Sequence, residues 1–104
     1  MDKNKRLRLE AKGWKIGSVD EFLGLTAEEA TYVELKLALS QHVREYRQAK
    51  RLTQTQMARL LKSSQSRVAK IETGDASVSL DLLIRSLIVL GATPRELGRM
   101  IATL

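Results

Sequence analysis

The sequence predicts an all-α domain of about five helices preceded by a short N-terminal extension. Three observations carry this. Apolar residues recur at three- and four-residue intervals through most of the chain after residue 26, and no strand-like alternation competes with them. Each such stretch opens on a Ser or Thr, in several cases with Glu or Gln three residues later, the signature of a capped helix start. One proline and four aromatic residues among 104 suit a small helical protein better than a sandwich or barrel.

Residues 1–25 form the extension. They lack sustained periodicity and contain Gly13 and Gly17, which reads as a loosely packed arm. Trp14 and Ile16 interrupt its polarity, and Ser18 with Glu21 is a capping box for a single turn carrying Phe22, Leu23 and Leu25. Residues 26–104 form the domain. Thr26 and Glu29 box a long helix from about Ala27 to Lys50, with Tyr32, Leu35, Leu39, His42, Val43 and Tyr46 as its apolar stripe. Glu28 and Glu29 at its start and Lys50 and Arg51 at its end suit the helix dipole. Thr53 and Gln56 box a second helix, with Met57, Leu60 and Leu61 expected in the core and Ala58 where another helix comes close. Lys62 and Ser63 make a turn, and Ser64 caps a third helix that buries Val68 and Ile71 and stops at Gly74. Ser79 caps a fourth, rich in Leu80, Leu82, Leu83, Leu87, Ile88 and Leu90 and closed by Gly91. The last helix opens on Thr93, Pro94 and Glu96, a consistent start signal, and carries Leu97, Met100, Ile101 and Leu104 on its apolar face.

Composition narrows function. The absence of cysteine excludes disulfides and thiolate metal sites and suits a reducing cytoplasm. No apolar run approaches the ~20 residues of a membrane span, and no apolar segment follows the basic start as in a signal peptide. The net charge of +6 is unevenly placed. Residues 44–70 hold Arg44, Arg47, Lys50, Arg51, Arg59, Lys62, Arg67 and Lys70 against Glu45 alone, whereas residues 16–43 hold one lysine against five acids. A local excess of this kind is the electrostatic footprint of phosphate binding. Catalysis finds no support, because there is one histidine, no cysteine and no phosphate-cradling glycine loop, and capping explains the carboxylates. No metal and no cofactor are expected, and His42 reads as a half-buried helix residue.

Residues 52–74, LTQTQMARLLKSSQSRVAKIETG, are two short helices joined by a tight turn. This stretch resembles the helix-turn-helix of the Cro/lambda-repressor-like (Xre) family, and the resemblance extends over roughly residues 43–91. It is carried by Gln54 opening the first helix, the small Ala58, the anchors Val68 and Ile71, and the closing Glu72 and Gly74. Lys62 departs from the pattern, which usually has glycine in the turn, and must tolerate a positive φ. The resemblance implies that Gln65, Ser66 and Arg67 face base edges in a DNA major groove, with Lys70 at the margin. Gln can pair with adenine and Arg with guanine in two-pronged fashion. It implies that Gln54 donates to a phosphate, and that Arg47 and Glu72 form an ion pair bracing the first helix to the end of the reading helix. Ser64, Arg44, Lys50 and Lys62 are further phosphate candidates on charge and location alone.

These features point to a sequence-specific transcription regulator, a repressor above all, with double-stranded DNA as partner and a cytoplasmic location. The family usually binds as a homodimer, for which Leu97, Met100, Ile101 and Leu104 are the expected interface. Its small members with an extension resemble HigA-type antitoxins, so a toxin protein is the alternative partner, docking on the apolar residues of the arm.

Overall fold

In the computed structural model the described residues are Gly24 and 26–104. The capping box of Ser18 and Glu21 and the apolar set Trp14, Ile16, Phe22, Leu23 and Leu25 lie outside them. Five helices follow one another: α1 (Ala27–Ala49), α2 (Gln54–Leu60), α3 (Gln65–Thr73), α4 (Leu80–Val89) and α5 (Pro94–Ala102). Among the described residues there is no strand. The chain divides into two compact units, residues 1–35 with Leu104 and residues 36–103, and the boundary falls inside the unbroken α1.

The core of the second unit is built from the stripes that the periodicity marks. Leu39 and Val43 of α1, Met57 of α2, Val68 and Ile71 of α3, and Leu83 and Leu87 of α4 are fully buried. Leu90, Ala92 and Met100 extend the core toward α5. Each such aliphatic side chain contributes roughly 1.5–3 kcal/mol by leaving water. Two expectations based on residue type alone fail. Leu60 is 54% exposed and Ile88 55%. Helical geometry explains both. At 3.6 residues per turn, Met57, Ala58 and Leu61 point one way and Leu60 stands about 100° off their mean direction. The buried stripe of α4 runs through Leu83, Ser86, Leu87 and Leu90, and Ile88 lies on the opposite side. Ser86 is the unforeseen member of that stripe, and its hydroxyl donates to the Leu82 carbonyl at 2.7 Å.

The helix starts are as expected. Thr53 and Thr93 form complete capping boxes with Gln56 and Glu96, and Ser64 and Ser79 accept from the amides of Arg67 and Leu82. The helix ends share one device. After α1, α2, α3 and α4 the chain turns through a left-handed residue: Arg51 (φ 57°), Lys62 (φ 53°), Gly74 (φ 72°) and Gly91 (φ 99°). Each turn closes with paired backbone bonds of the same form, such as Ser63 N–H to Ala58 O (2.8 Å) and Lys62 N–H to Arg59 O (3.2 Å). This reuse keeps the connections short and sets the angles between successive helices. Gly74 is doubly constrained, because a Cβ there would stand 2.6 Å from Leu37 Cδ2.

Arg51 and Lys62 adopt this backbone with a side chain attached, at a cost of about 1–2 kcal/mol each. Replacing either with glycine removes that cost and adds back about 0.5–1 kcal/mol of unfolded-chain entropy. Lys62→Gly and Arg51→Gly are therefore each expected to stabilise the domain by up to about 1 kcal/mol. Urea unfolding reads this directly, and a midpoint that falls in both variants contradicts the account.

Candidate nucleic-acid interface

The site is organised by one buried ion pair. Arg47, in the last turn of α1, spreads its guanidinium over three groups. Nε and Nη2 donate to the two carboxylate oxygens of Glu72, the latter at 3.1 Å, and Nη1 donates to the Leu52 carbonyl at 2.7 Å. The Arg47 side chain is 12% exposed and that of Glu72 only 4%. One side chain thus ties the end of α1, the entry to α2 and the end of α3.

From this pair a chain of bonds runs outward. Glu72 Oε1 also accepts from Gln54 Nε2 at 3.1 Å, and Gln54 Oε1 accepts from Gln65 Nε2 at 2.6 Å. Gln54 opens α2 and Gln65 opens α3, so the two short helices are joined at their N-termini by their first side chains. The resemblance assigns Gln54 to a phosphate. In the structure its carbonyl and one amide hydrogen are committed inside the protein, which leaves one amide hydrogen for an outside acceptor.

The first turn of α3 is open to solvent. Gln65, Ser66, Arg67 and Lys70 are all exposed, and Ser64 and Ser66 share a hydroxyl–hydroxyl bond of 3.2 Å. Ser64, Ser66, Arg67 and Lys70 line one shallow depression together with Ser77 and Val78 from the loop after α3. The structure thus adds Ser77 to the candidate face. The pattern Asp75-Ala76-Ser77 is a side-chain turn in which Asp75 Oδ1 accepts from the Ser77 amide (2.8 Å) and hydroxyl (2.6 Å). Donation by the Ser77 hydroxyl and then its amide holds the Asp75 carboxyl below the usual carboxylate range. That turn was visible in the sequence, but its position beside α3 was not.

The remaining cationic phosphate candidates, Arg44, Lys50 and Lys62, are all exposed. Lys50 reaches past the end of α4, with Cε and Nζ each 3.4 Å from where a Cβ on Gly91 would stand. There the ammonium lies near the negative end of the α4 dipole. One residue before Arg47 on α1, the Tyr46 hydroxyl donates to the Glu96 carboxylate. That bond, followed by those from Thr93, lowers the pKa of Glu96, and it raises that of Tyr46. It ties α1 to the start of α5 and lies apart from the α3 face in the chain's bonding.

A family model described as a helix-turn-helix domain matches residues 38–100, more than half of the chain. The chain belongs to the helix-turn-helix domain family. None of the curated proteins and none of the solved structures compared with it is a match. The matched span begins in α1 ahead of Arg47 and ends at Met100, so it takes in the Arg47–Glu72 brace as well as α2 and α3. The helix-turn-helix is a DNA-binding unit, and the basic stretch 44–70 falls within its matched residues. No helix among the described residues is long and apolar enough to cross a membrane.

Proposed function

We propose that this helix-turn-helix protein is a sequence-specific transcription regulator that reads a DNA major groove with the first turn of α3. The observation that carries the reading is the placement of Gln65 and Arg67. Both are exposed at the start of a helix whose far end is locked by a buried ion pair. A base-reading side chain needs a rigid mount, and here the mount is the Arg47–Glu72 brace. Ser66 stands between the two and Lys70 one turn on, with Ser64, Lys62 and Arg44 as cations or donors toward phosphates. Lys50, exposed beside Gly91, is a third cation toward phosphates.

Gln54 is given two tasks in this reading. It orients the Gln65 amide through the 2.6 Å bond and offers its remaining amide hydrogen to a phosphate. Lys62 fits the same logic, since a lysine kept in a strained turn supplies a charge that glycine cannot.

The regulator acts as a homodimer on two half-sites about one helical turn of DNA apart, which also doubles the sequence read. Of the expected interface, Leu97 is half-buried, Ile101 is 44% exposed and Leu104 47%. Met100 is 6% exposed and serves the core of its own chain, so Leu97 and Ile101 are the interface residues retained within residues 36–103. Repression is the simplest mode, because occupancy of an operator needs no further activity. An antitoxin role stands second, since the apolar residues expected to dock a toxin lie outside the described ones.

Selection of binding sites from random double-stranded DNA is the test. A palindrome with half-sites one helical turn apart is expected. Gln65→Ala and Arg67→Ala should each relax selection at one base pair per half-site, worth about 1–3 kcal/mol of discrimination. Gln54→Ala should weaken binding on every sequence and also blur the position that Gln65 reads. Unchanged site preference in all three variants would remove α3 as the reading helix.

A further inference from the structure

Beside the α2–α3 turn lies a cleft of about 360 Å³ whose apolar floor the DNA reading does not use. It is lined by the end of α2, the turn that follows, Arg67 and Ile71 of α3, and α4 from Leu82 to Val89. Its apolar lining includes Leu60, Leu82 and Val89, and its charged lining is Lys62, Arg67 and Arg85. Leu60 is 54% and Val89 47% exposed, so two large aliphatic side chains stand in solvent on the walls of one cleft. No carboxylate lines the cleft. Of the two acids next to lining residues along the chain, Glu72 is taken by Arg47, and Asp81 pairs with Arg85 at 3.1 Å with side chains 73% and 74% exposed, a pair worth little in water.

We infer that this cleft docks an acidic amphipathic helix of a partner protein. Charge selects the occupant. An apolar floor bordered by Lys62 and Arg67, with Arg85 in an exposed pair and no acid in the lining, rejects a basic surface and favours carboxylates that flank apolar anchors. A helix offers that arrangement, with anchors spaced at i, i+3 or i+4 and i+7 seated between Leu60 and Val89 and glutamates on either side. The cleft also shares Lys62 and Arg67 with the proposed DNA face. An occupied cleft therefore neutralises cations that DNA requires, so docking opposes DNA binding and the cleft is a point of control. This last step rests on the proposed DNA reading, whereas the docking itself does not.

The probe is a pair of helical peptides of 14 residues or so with the same leucine face. One carries glutamates and the other lysines on its flanks. Binding to the full chain is followed by fluorescence anisotropy without DNA. The glutamate peptide is expected to bind, to weaken as salt rises, and to bind about tenfold or more tighter than the lysine peptide. Leu60→Ser and Val89→Ser, both exposed positions outside the DNA face, should each lower its affinity, with thermal unfolding confirming that the fold is kept. Absence of binding, equal binding of the two peptides, or affinity unchanged in both variants overturns the proposal. A shift toward monomer in those variants without peptide gives the cleft to a second copy and also overturns it. In a second arm, selected DNA and the glutamate peptide should displace one another, and a stable ternary complex overturns the control step. Failure of the first arm leaves the DNA reading intact, because no DNA is present in it.

Discussion

Glu72→Ala is expected to cost the domain about 3–5 kcal/mol, because it leaves a buried charge unpaired. The Glu72 side chain is 4% exposed, and its two oxygens accept from Arg47 Nε and Nη2 and from Gln54 Nε2. Removing it leaves a guanidinium at 12% exposure without its counter-charge and strands an amide donor on α2. A domain of this size has a total stability of roughly 5–15 kcal/mol, so much of the population should unfold near room temperature in mild denaturant. Arg47→Ala should cost a similar amount, because it strands the carboxylate and frees the Leu52 carbonyl. Replacing both partners by apolar residues, as in Arg47→Met with Glu72→Leu, should recover much of the loss, since the pair's desolvation penalty is then avoided. A double-mutant cycle in urea measures this coupling. The exposed pair Asp81–Arg85 is the internal control, and Asp81→Ala should change stability by less than about 1 kcal/mol. If Glu72→Ala and Asp81→Ala cost the same, the brace is not what holds α1 to α3.

Most of the frame was legible in the sequence because its signals are local. Thr53, Ser64, Ser79 and Thr93 announce helix starts through side chains that bond within three residues, and Gly74 and Gly91 announce ends through their backbone freedom. Lys62 could be foreseen as strained only because the resemblance supplied an expected glycine. Arg51 adopts the same left-handed backbone, and nothing in an arginine signals it. The clue was geometric, as the chain must reverse between Ala49 and the cap Thr53. Leu60 and Ile88 show the limit of reading by residue type, because one hydrophobic residue off register faces water whatever its transfer free energy. What the sequence does not carry is who bonds whom across the fold. Tyr46 and Glu96 were each visible in their own helices, yet their bond spans fifty residues. Gln54 likewise reads as a free donor until Glu72 and Gln65 are placed on either side of it.

DNA affinity is expected to fall about 10³-fold between 50 and 200 mM salt, the second large effect. The slope is set by the cationic side chains that remain free to meet phosphates. Arg44, Lys50 and Lys62 are exposed in each chain, whereas Arg67 and Lys70 belong to the reading turn. A dimer then neutralises about six phosphates, and a slope near −0.9 per phosphate gives a log–log slope of about −5. Lys62→Ala should make that slope shallower by about 1 for each chain while leaving the preferred site unchanged. Gln65→Ala should do the opposite, leaving the slope intact and relaxing one position of the site. The two measurements divide the face into charges that hold DNA and side chains that read it, a division that stability data cannot supply. They also decide the status of Lys62, which the fold would exchange for glycine. If Lys62→Gly stabilises the protein and leaves the salt slope unchanged, its charge serves no phosphate and its strain has no return in DNA binding. If the slope falls as stability rises, the strained turn is the cost of a DNA contact.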